Sequence, residues 1–237
     1  MVATACIGHA LDPDYQHQEF VLKTIDETLP AVSAEFPGIA IDAYCESGAW
    51  TLDDCLRLFE RAAELDHPIR VHADQFHSLG MVPAAVERGF LSVDHLEATP
   101  PDELEQLARS NVYGVMLPCS GFQLDGRYAN GRRFLDALGK LAIATNYNPG
   151  SAPCRSLPMA VALAVRQLGI SVSKAITAST RTPAELLGFY DLGMINEGYR
   201  ADMVLLQHTD ERQLAYEFGG NPLAVVICEG RIVWTET

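Results

Sequence analysis

The sequence has few basic residues for its length. Its 237 residues include 17 lysines and arginines against 31 aspartates and glutamates, which gives a formal net charge of −14. Nucleic acids and anionic membranes are bound through clustered lysines and arginines, so this balance argues against both as partners. A net charge of this size is typical of a protein kept in solution by its own charge.

Long apolar runs and cysteine pairs are also missing. The longest apolar run, residues 159–165, is far too short to cross a bilayer. The first ten residues have neither the basic start nor the apolar centre of a secretory leader. The six cysteines include no Cys-x-x-Cys pair. We therefore expect a reduced, cytoplasmic protein.

Short apolar segments alternate with helical patterns over most of the chain. Hydrophobic residues make up 48% of the sequence and charged residues 20%, which argues against disorder. Apolar segments typical of strands buried on both faces lie at residues 2–7, 39–44, 69–72, 91–93, 112–117 and 141–145. Helix starts are indicated at Thr51, at Pro101 and at Thr182, where Glu185 completes a capping-box pattern. The alternation predicts a parallel α/β sheet.

The pattern changes after Gly188, where glycines separate the short apolar runs 203–206 and 225–228. This spacing predicts a small antiparallel β segment. A closed (β/α)8 barrel needs eight strands and roughly 250 residues, and only six parallel strands are readable here. We predict an incomplete TIM-type β/α barrel in residues 1–187, followed in residues 188–237 by the C-terminal part of a small β-sandwich domain. The chain then corresponds to the C-terminal part of a longer protein.

Polar side chains follow the predicted strands. His9, His72 and His95 each lie at or just past a strand end, as do Glu46 and Asn146. Carboxyl ends of parallel strands share one edge of a sheet, where active sites of barrels lie. The three histidines could converge on a metal ion or could supply an acid and a base, and the spacing leaves both possibilities open.

Five segments carry a resemblance to a known family. They are IGHALDPDY (residues 7–15), RVHADQF (70–76), SVDHLEAT (92–99), ATNYNPGSAP (144–153) and GYRADMVLL (198–206). In this order they resemble the imidazolonepropionases, which are metal-dependent amidohydrolases. The resemblance implies hydrolysis of the lactam C–N bond of 4-imidazolone-5-propanoate to N-formimidoyl-glutamate, in histidine degradation. It also implies one bound Zn or Fe ion and a small-molecule substrate.

The resemblance assigns roles to individual positions. His72 corresponds to a metal ligand, and Asn146 stands where the family has its metal-binding aspartate. His95 corresponds to a catalytic histidine beside the metal-bound water. Gln75 lies at a catalytic position that faces the substrate. The remaining substrate-binding positions are His9, Asn148, Gly150 and Ser151.

Two departures from the family pattern bear on activity. No His-x-His pair occurs in the sequence, and Asn146 offers a neutral oxygen where the family has a carboxylate. We therefore expect metal binding to be weak or absent in this chain. Two other functions stay open: a non-catalytic protein that binds the ligand, and a related amidohydrolase that acts on another cyclic amide. Exposed strand edges of a partial barrel predict a homo-oligomer.

Overall fold

The computed structural model describes residues 2–236, which divide into two compact units. The first unit covers the chain up to residue 115 together with residues 136–140, and the second covers residues 116–135 and the chain from residue 141 onward. Nothing in residues 2–236 forms a helix long and apolar enough to cross a membrane.

The described part of the chain contains nine strands and eleven α-helices. The strands are β1 Thr4–Gly8, β2 Ala40–Cys45, β3 Ile69–Ala73, β4 Ser92–His95, β5 Tyr113–Met116, β6 Leu141–Ile143, β7 Met203–Leu206, β8 Leu223–Cys228 and β9 Arg231–Thr235. The helices are α1 His17–Lys23, α2 Leu29–Glu35, α3 Leu52–Glu64, α4 Met81–Arg88, α5 Pro101–Ala108, α6 Pro118–Gln123, α7 Gly131–Asp136, α8 Leu157–Gln167, α9 Val172–Ser179, α10 Arg181–Leu186 and α11 Gln213–Tyr216. A π-helical turn at Thr24–Thr28 joins α1 to α2.

In the first unit, strands β1 to β5 pair in parallel and in the order of the chain. Strand β4 is buried along its whole length and β2 along nearly all of it, as expected for strands covered on both faces. Among the described residues β1 hydrogen-bonds to β2 alone, so its other edge is open. The α/β class and the incomplete barrel are thereby confirmed.

The predicted helix starts are partly confirmed. Thr51 is the N-cap of α3 and forms a capping box with Asp54, and α5 begins at Pro101. The capping box expected at Thr182 is wrong, because α10 begins at Arg181 and its N-cap is Thr180. The amide of Ala184 already bonds to the carbonyl of Thr180, which starts the helix earlier than the side-chain pattern indicated.

The second unit holds β6 and the predicted antiparallel segment. The amide of Ala144 donates to the carbonyl of Met116 at 3.3 Å, just past the end of β6. Strands β7, β8 and β9 form an antiparallel sheet, as the glycine-separated runs predicted, and β9 is exposed throughout. The domain boundary between residues 187 and 188 stays a prediction.

Candidate metal and active site

Polar side chains from four neighbouring strands meet at one edge of the first unit's sheet. His9 follows β1, Asp42 lies in β2, His72 lies in β3, and Asp94 and His95 end β4. We call these five residues the strand-end cluster. Their convergence follows from the parallel pairing, which sets Tyr44 of β2 beside His72 and Ala73 of β3 beside His95.

Asp42 is the centre of the strand-end cluster. Its Oδ1 lies 3.1 Å from His9 Nε2 and 3.0 Å from His72 Nδ1. The His9 and His72 ring centroids are 4.7 Å apart. Close approach of β1 to β2 makes this possible: a Cβ added to Gly8 would lie only 2.7 Å from the Cβ of Ala43. Glycine therefore allows His9 to reach a carboxylate on the next strand.

Asp42, His9 and His72 shift one another's pKa values. Burial alone would raise the pKa of Asp42, but the charges and hydrogen bonds of His72 and His9 outweigh it and hold that pKa well below its usual range. Burial alone would lower the pKa of His72 and of His9, but Asp42 raises both above the ordinary histidine value. A buried carboxylate thus binds two imidazoles and favours their charged forms.

Two groups of side chains in this region place their ligand atoms within 4.8 Å of one another, close enough to hold a metal ion. One group is Asp42, His72 and Asp94, and the other is Cys6, His9 and Asp42. Asp94 is already engaged, because Oδ2 pairs with Arg70 at 3.0 Å and Oδ1 accepts from the Ser92 hydroxyl at 2.7 Å.

His95 lies next to the His72 ring, with their ring centroids 5.5 Å apart. Its side chain is only 3% exposed, and Nδ1 is 3.3 Å from a carboxylate oxygen of Glu97. His95 and Leu96 have φ angles of 91° and 74°, which are unusual for residues other than glycine. Such backbone strain is common at functional sites, and here it occurs where β4 ends.

Gln75 is buried beside the strand-end cluster and accepts a hydrogen bond from the Tyr44 hydroxyl at 2.7 Å. Burial raises the pKa of Tyr44, which keeps its hydroxyl protonated and able to donate. The segment after Gln75 is held by Glu46, whose carboxylate accepts from the amides of Phe76 and His77 at 2.8 and 3.2 Å. Glu46 therefore holds the backbone of Phe76 and His77 in place.

The second unit contains the other predicted site residues in one loop. We call residues 146–151 the Asn148 loop. The side-chain oxygen of Asn148 accepts from the amides of Gly150 and Ser151 at 2.9 and 2.7 Å. The Asn146 amide donates to Ser120 Oγ at 2.7 Å and to Ser151 Oγ at 3.3 Å. Hydroxyls and amides within the loop thus bond to one another.

Sequence reasoning missed Asp42 and Glu97. Asp42 is 2% exposed within an apolar strand, and its partners His9 and His72 lie 33 and 30 residues away along the chain. A carboxylate in the middle of a strand buried on both faces was the available signal, because a buried charge requires a partner. The side chain of Asp74, next to Gln75, accepts a hydrogen bond from the Thr99 hydroxyl at 2.9 Å.

Several other histidines and cysteines have structural roles. His17 pairs with the capping residue Asp54, His67 bonds to the carbonyl of Ile39, and His77 pairs with Glu46. Cys45 and Cys119 are buried, as expected for small hydrophobic side chains, and burial raises the pKa of the Cys119 thiol to about 12. These groups do not take part in the strand-end cluster.

The fold and the strand-end cluster define the class of protein: an α/β chain of the barrel type, with its polar cluster at the carboxyl ends of parallel strands. Within that class the chain belongs to the amidohydrolase family, because the family's sequence profile matches residues 16–233.

Two curated relatives are imidazolonepropionases. The enzyme of Herpetosiphon aurantiacus is 39% identical over 98% of this chain and 57% of its own length. That of Deinococcus radiodurans is 37% identical over 92% of this chain and 55% of its own length. The chain therefore spans about half the length of the curated relatives it matches.

Solved structures support the same fold. A zinc-bound adenosine deaminase from Xanthomonas campestris superimposes with a TM-score of 0.68 and 18% identity, over 95% of this chain and 59% of that one. A variant of atrazine chlorohydrolase from Arthrobacter aurescens, in complex with zinc and atraton, gives a TM-score of 0.70 and 17% identity, over 98% of this chain and 60% of that one.

Proposed function

We propose that this chain carries part of the active site of an imidazolonepropionase, which hydrolyses the lactam C–N bond of 4-imidazolone-5-propanoate to N-formimidoyl-glutamate in histidine degradation. The observation that carries the proposal is the pairing of two imidazoles with one buried carboxylate, Asp42, with His95 beside them. The 39% identity to the Herpetosiphon imidazolonepropionase supports the choice of substrate.

A single Zn or Fe ion is the cofactor that this proposal requires. His72 fits a ligand role, because its Nδ1 faces the Asp42 carboxylate and Nε2 is then the ring nitrogen available to a metal. Such an ion would supply Lewis acidity and a water of lowered pKa. Asn146 fits less well, since its side-chain nitrogen is committed to two hydroxyls and its oxygen is neutral.

His95 is the residue proposed to move protons. Its Nδ1 faces the buried Glu97 carboxylate, which fixes the ring orientation and makes the other nitrogen the better proton acceptor. Gln75, held by the Tyr44 hydroxyl, is proposed to act beside His95 as the second catalytic residue and to position the ring of the substrate through its amide. His9, 30% exposed, is proposed to contact the substrate from the first strand.

The Asn148 loop is proposed to bind the substrate. The Asn148 oxygen accepts two backbone N–H groups, from Gly150 and Ser151, as a carboxylate oxygen would. These two bonds fix the shape of the loop around Gly150. We propose that the propanoate carboxylate then accepts a charge-assisted hydrogen bond from the Ser151 hydroxyl.

Turnover by the metal-loaded chain tests this proposal. With Zn²⁺ or Fe²⁺ added, we expect slow loss of 4-imidazolone-5-propanoate that His95→Gln abolishes and that His208→Gln, a change at an exposed histidine of the second unit, does not affect. Loss of substrate at equal rates in wild type and His95→Gln would contradict the role of His95.

A second candidate is a ligand-binding protein without catalysis. The sequence has no His-x-His pair, and Asn146 replaces the family's aspartate, which favours this reading. Calorimetric titration with N-formimidoyl-glutamate in the presence of a chelator distinguishes this candidate from the hydrolase. Binding without turnover supports the ligand-binding protein. Activity on a different cyclic amide, with none on the imidazolone, would instead support a related amidohydrolase.

We also propose that the protein is cytoplasmic and self-associates. The free edge of β1 and the exposed side chains of Ile232 and Val233 on β9, 66% and 60% exposed, favour pairing with a second copy. Light scattering on the purified chain is expected to give a mass of at least a dimer. A stable monomer at all concentrations would contradict this.

A further inference from the structure

Cys6, on β1 of the first unit, lies next to the two residues that begin the strand-end cluster. One ligand atom each from Cys6, His9 and Asp42 lies within 4.8 Å of the other two. His9 Nε2 is 3.1 Å from Asp42 Oδ1. A thiol, an imidazole and a carboxylate therefore share one small volume.

This combination of donors suits zinc. Zn²⁺ takes thiolate, imidazole and carboxylate ligands in sites with three protein ligands and one open position. Two anionic ligands, thiolate and carboxylate, would balance the charge of the ion. Cys6 is exposed and His9 is 30% exposed, so an ion could enter from solvent and keep a water in the fourth position.

The neighbouring group is less suited to hold the ion. Asp42, His72 and Asp94 lie equally close together, but both oxygens of Asp94 already bond to Arg70 and Ser92. A metal there would have to displace the Arg70 guanidinium or bind beside its positive charge. The group of Cys6, His9 and Asp42 itself includes no arginine or lysine, and the imidazole of His9 becomes a ligand once it loses its proton.

We propose that Cys6, His9 and Asp42 form a binding site for a thiophilic divalent ion, Zn²⁺ being the natural candidate. On binding, the Cys6 thiol and His9 Nε2 each give up a proton to solvent as the metal–sulfur and metal–nitrogen bonds form, and the Asp42 oxygen that paired with Nε2 binds the ion instead. Cys6 and Asp42 lie outside the five segments that carry the resemblance, and the site does not depend on the hydrolytic activity proposed above.

Cobalt(II) is the probe that tests the site, because thiolate ligation to Co²⁺ gives a charge-transfer absorption in the near ultraviolet. Titration of the whole chain with Co²⁺ is expected to produce this band, and Zn²⁺ is expected to displace it. Cys6→Ser is expected to remove the band and to weaken Zn²⁺ binding by more than the roughly 10–100-fold that loss of an outer-shell partner costs.

Cys228→Ser is the matched control, because Cys228 is the other exposed cysteine and lies in the second unit. It is expected to keep the full band. A band that survives in Cys6→Ser, or that disappears in Cys228→Ser, would overturn the proposal. Co²⁺ binding without any thiolate band would also overturn it, while leaving a metal role for His72 in the proposed hydrolase untouched.

Discussion

The strand-end cluster and the Asn148 loop differ in charge and in burial. The cluster is built on Asp42, a carboxylate that is 2% exposed and bonds to two imidazoles. The loop is built on Asn148, a neutral side chain whose oxygen accepts two backbone amides. The strand-end cluster thus holds charged groups around a buried carboxylate. In the Asn148 loop, neutral polar groups hydrogen-bond to one another.

This difference indicates different functional roles for the cluster and the loop. Charged groups in a buried setting shift each other's pKa and can hold a metal ion or move protons. Neutral amides and hydroxyls offer directional hydrogen bonds with no cost of burying charge, which suits recognition of a substrate. Variants of the cluster should therefore alter metal binding and pH dependence, and variants of the loop should alter ligand affinity alone.

The largest effect is expected for Asp42→Asn. Loss of the carboxylate removes the partner of His72 and one ligand of the proposed Cys6 site, so Zn²⁺ affinity should fall by more than the roughly 10–100-fold that loss of an outer-shell partner costs. Asp26→Asn, a change at an exposed residue of the first unit, is expected to leave the affinity unchanged. Competition with a chromogenic chelator measures both, and equal affinities for wild type and Asp42→Asn would contradict the central role of Asp42.

The same variant should change how stability depends on pH in the metal-free protein. The depressed pKa of Asp42 stabilises the fold above the usual aspartate value of 3.8, and this contribution is lost as the pH falls through the folded pKa. The raised pKa of His72 and of His9 stabilises it below the usual histidine value of 6.5, and this contribution is lost as the pH rises through the folded pKa.

The difference in free energy of unfolding between wild type and Asp42→Asn should therefore be greatest between pH 3.8 and 6.5. We expect about 1–3 kcal/mol there and a smaller difference on either side. Urea denaturation of both proteins across this range is the measurement. A difference that is constant with pH would show that Asp42 does not pair with titrating histidines.

A smaller effect is expected for Asn148→Ala in the loop. Removing the acceptor of the Gly150 and Ser151 amides loosens the binding loop, and affinity for N-formimidoyl-glutamate should fall by about three- to tenfold, the equivalent of one hydrogen bond. Zn²⁺ affinity should stay unchanged. Calorimetry reports the ligand affinity, with Asn196→Ala, at an exposed asparagine, as the control. Loss of metal binding in Asn148→Ala would contradict the claim that the loop affects ligand affinity alone.

The smallest effect is expected for Ser120→Ala. The Ser120 hydroxyl is 1% exposed and accepts from the Asn146 amide at 2.7 Å. Its loss should lower the free energy of unfolding by about 0.5–1.5 kcal/mol. Ser47→Ala, at an exposed serine, should cost less. An unchanged stability in Ser120→Ala would mean that this bond does not hold Asn146 in place.

Much of the architecture could be predicted from the sequence. Strands buried on both faces leave continuous apolar runs, so β1 to β6 were found to within a few residues of their ends. The antiparallel tail was predicted from its glycines, although β9 was missed, because Arg231–Thr235 is exposed throughout. The start of α10 was misplaced, because a backbone bond and not a side-chain cap begins it.

The candidate site was predicted less completely. His9, His72 and His95 were expected at one sheet edge, because parallel strands bring their carboxyl ends together. The carboxylate that joins His9 to His72 could not be predicted from local spacing, since Asp42 lies 33 and 30 residues from them. The proximity of Cys6 to Asp42 could not be predicted either, because it arises only when β1 pairs with β2.

The most direct test of the central claim is a crystal of the zinc-soaked protein measured for anomalous scattering at the zinc edge. We expect a zinc peak at coordinating distance, about 2.0–2.3 Å, from donor atoms of the strand-end cluster, with Asp42 bonded to the ion or to one of its ligands. A zinc peak elsewhere in the chain, or no peak under saturating zinc, would contradict the account.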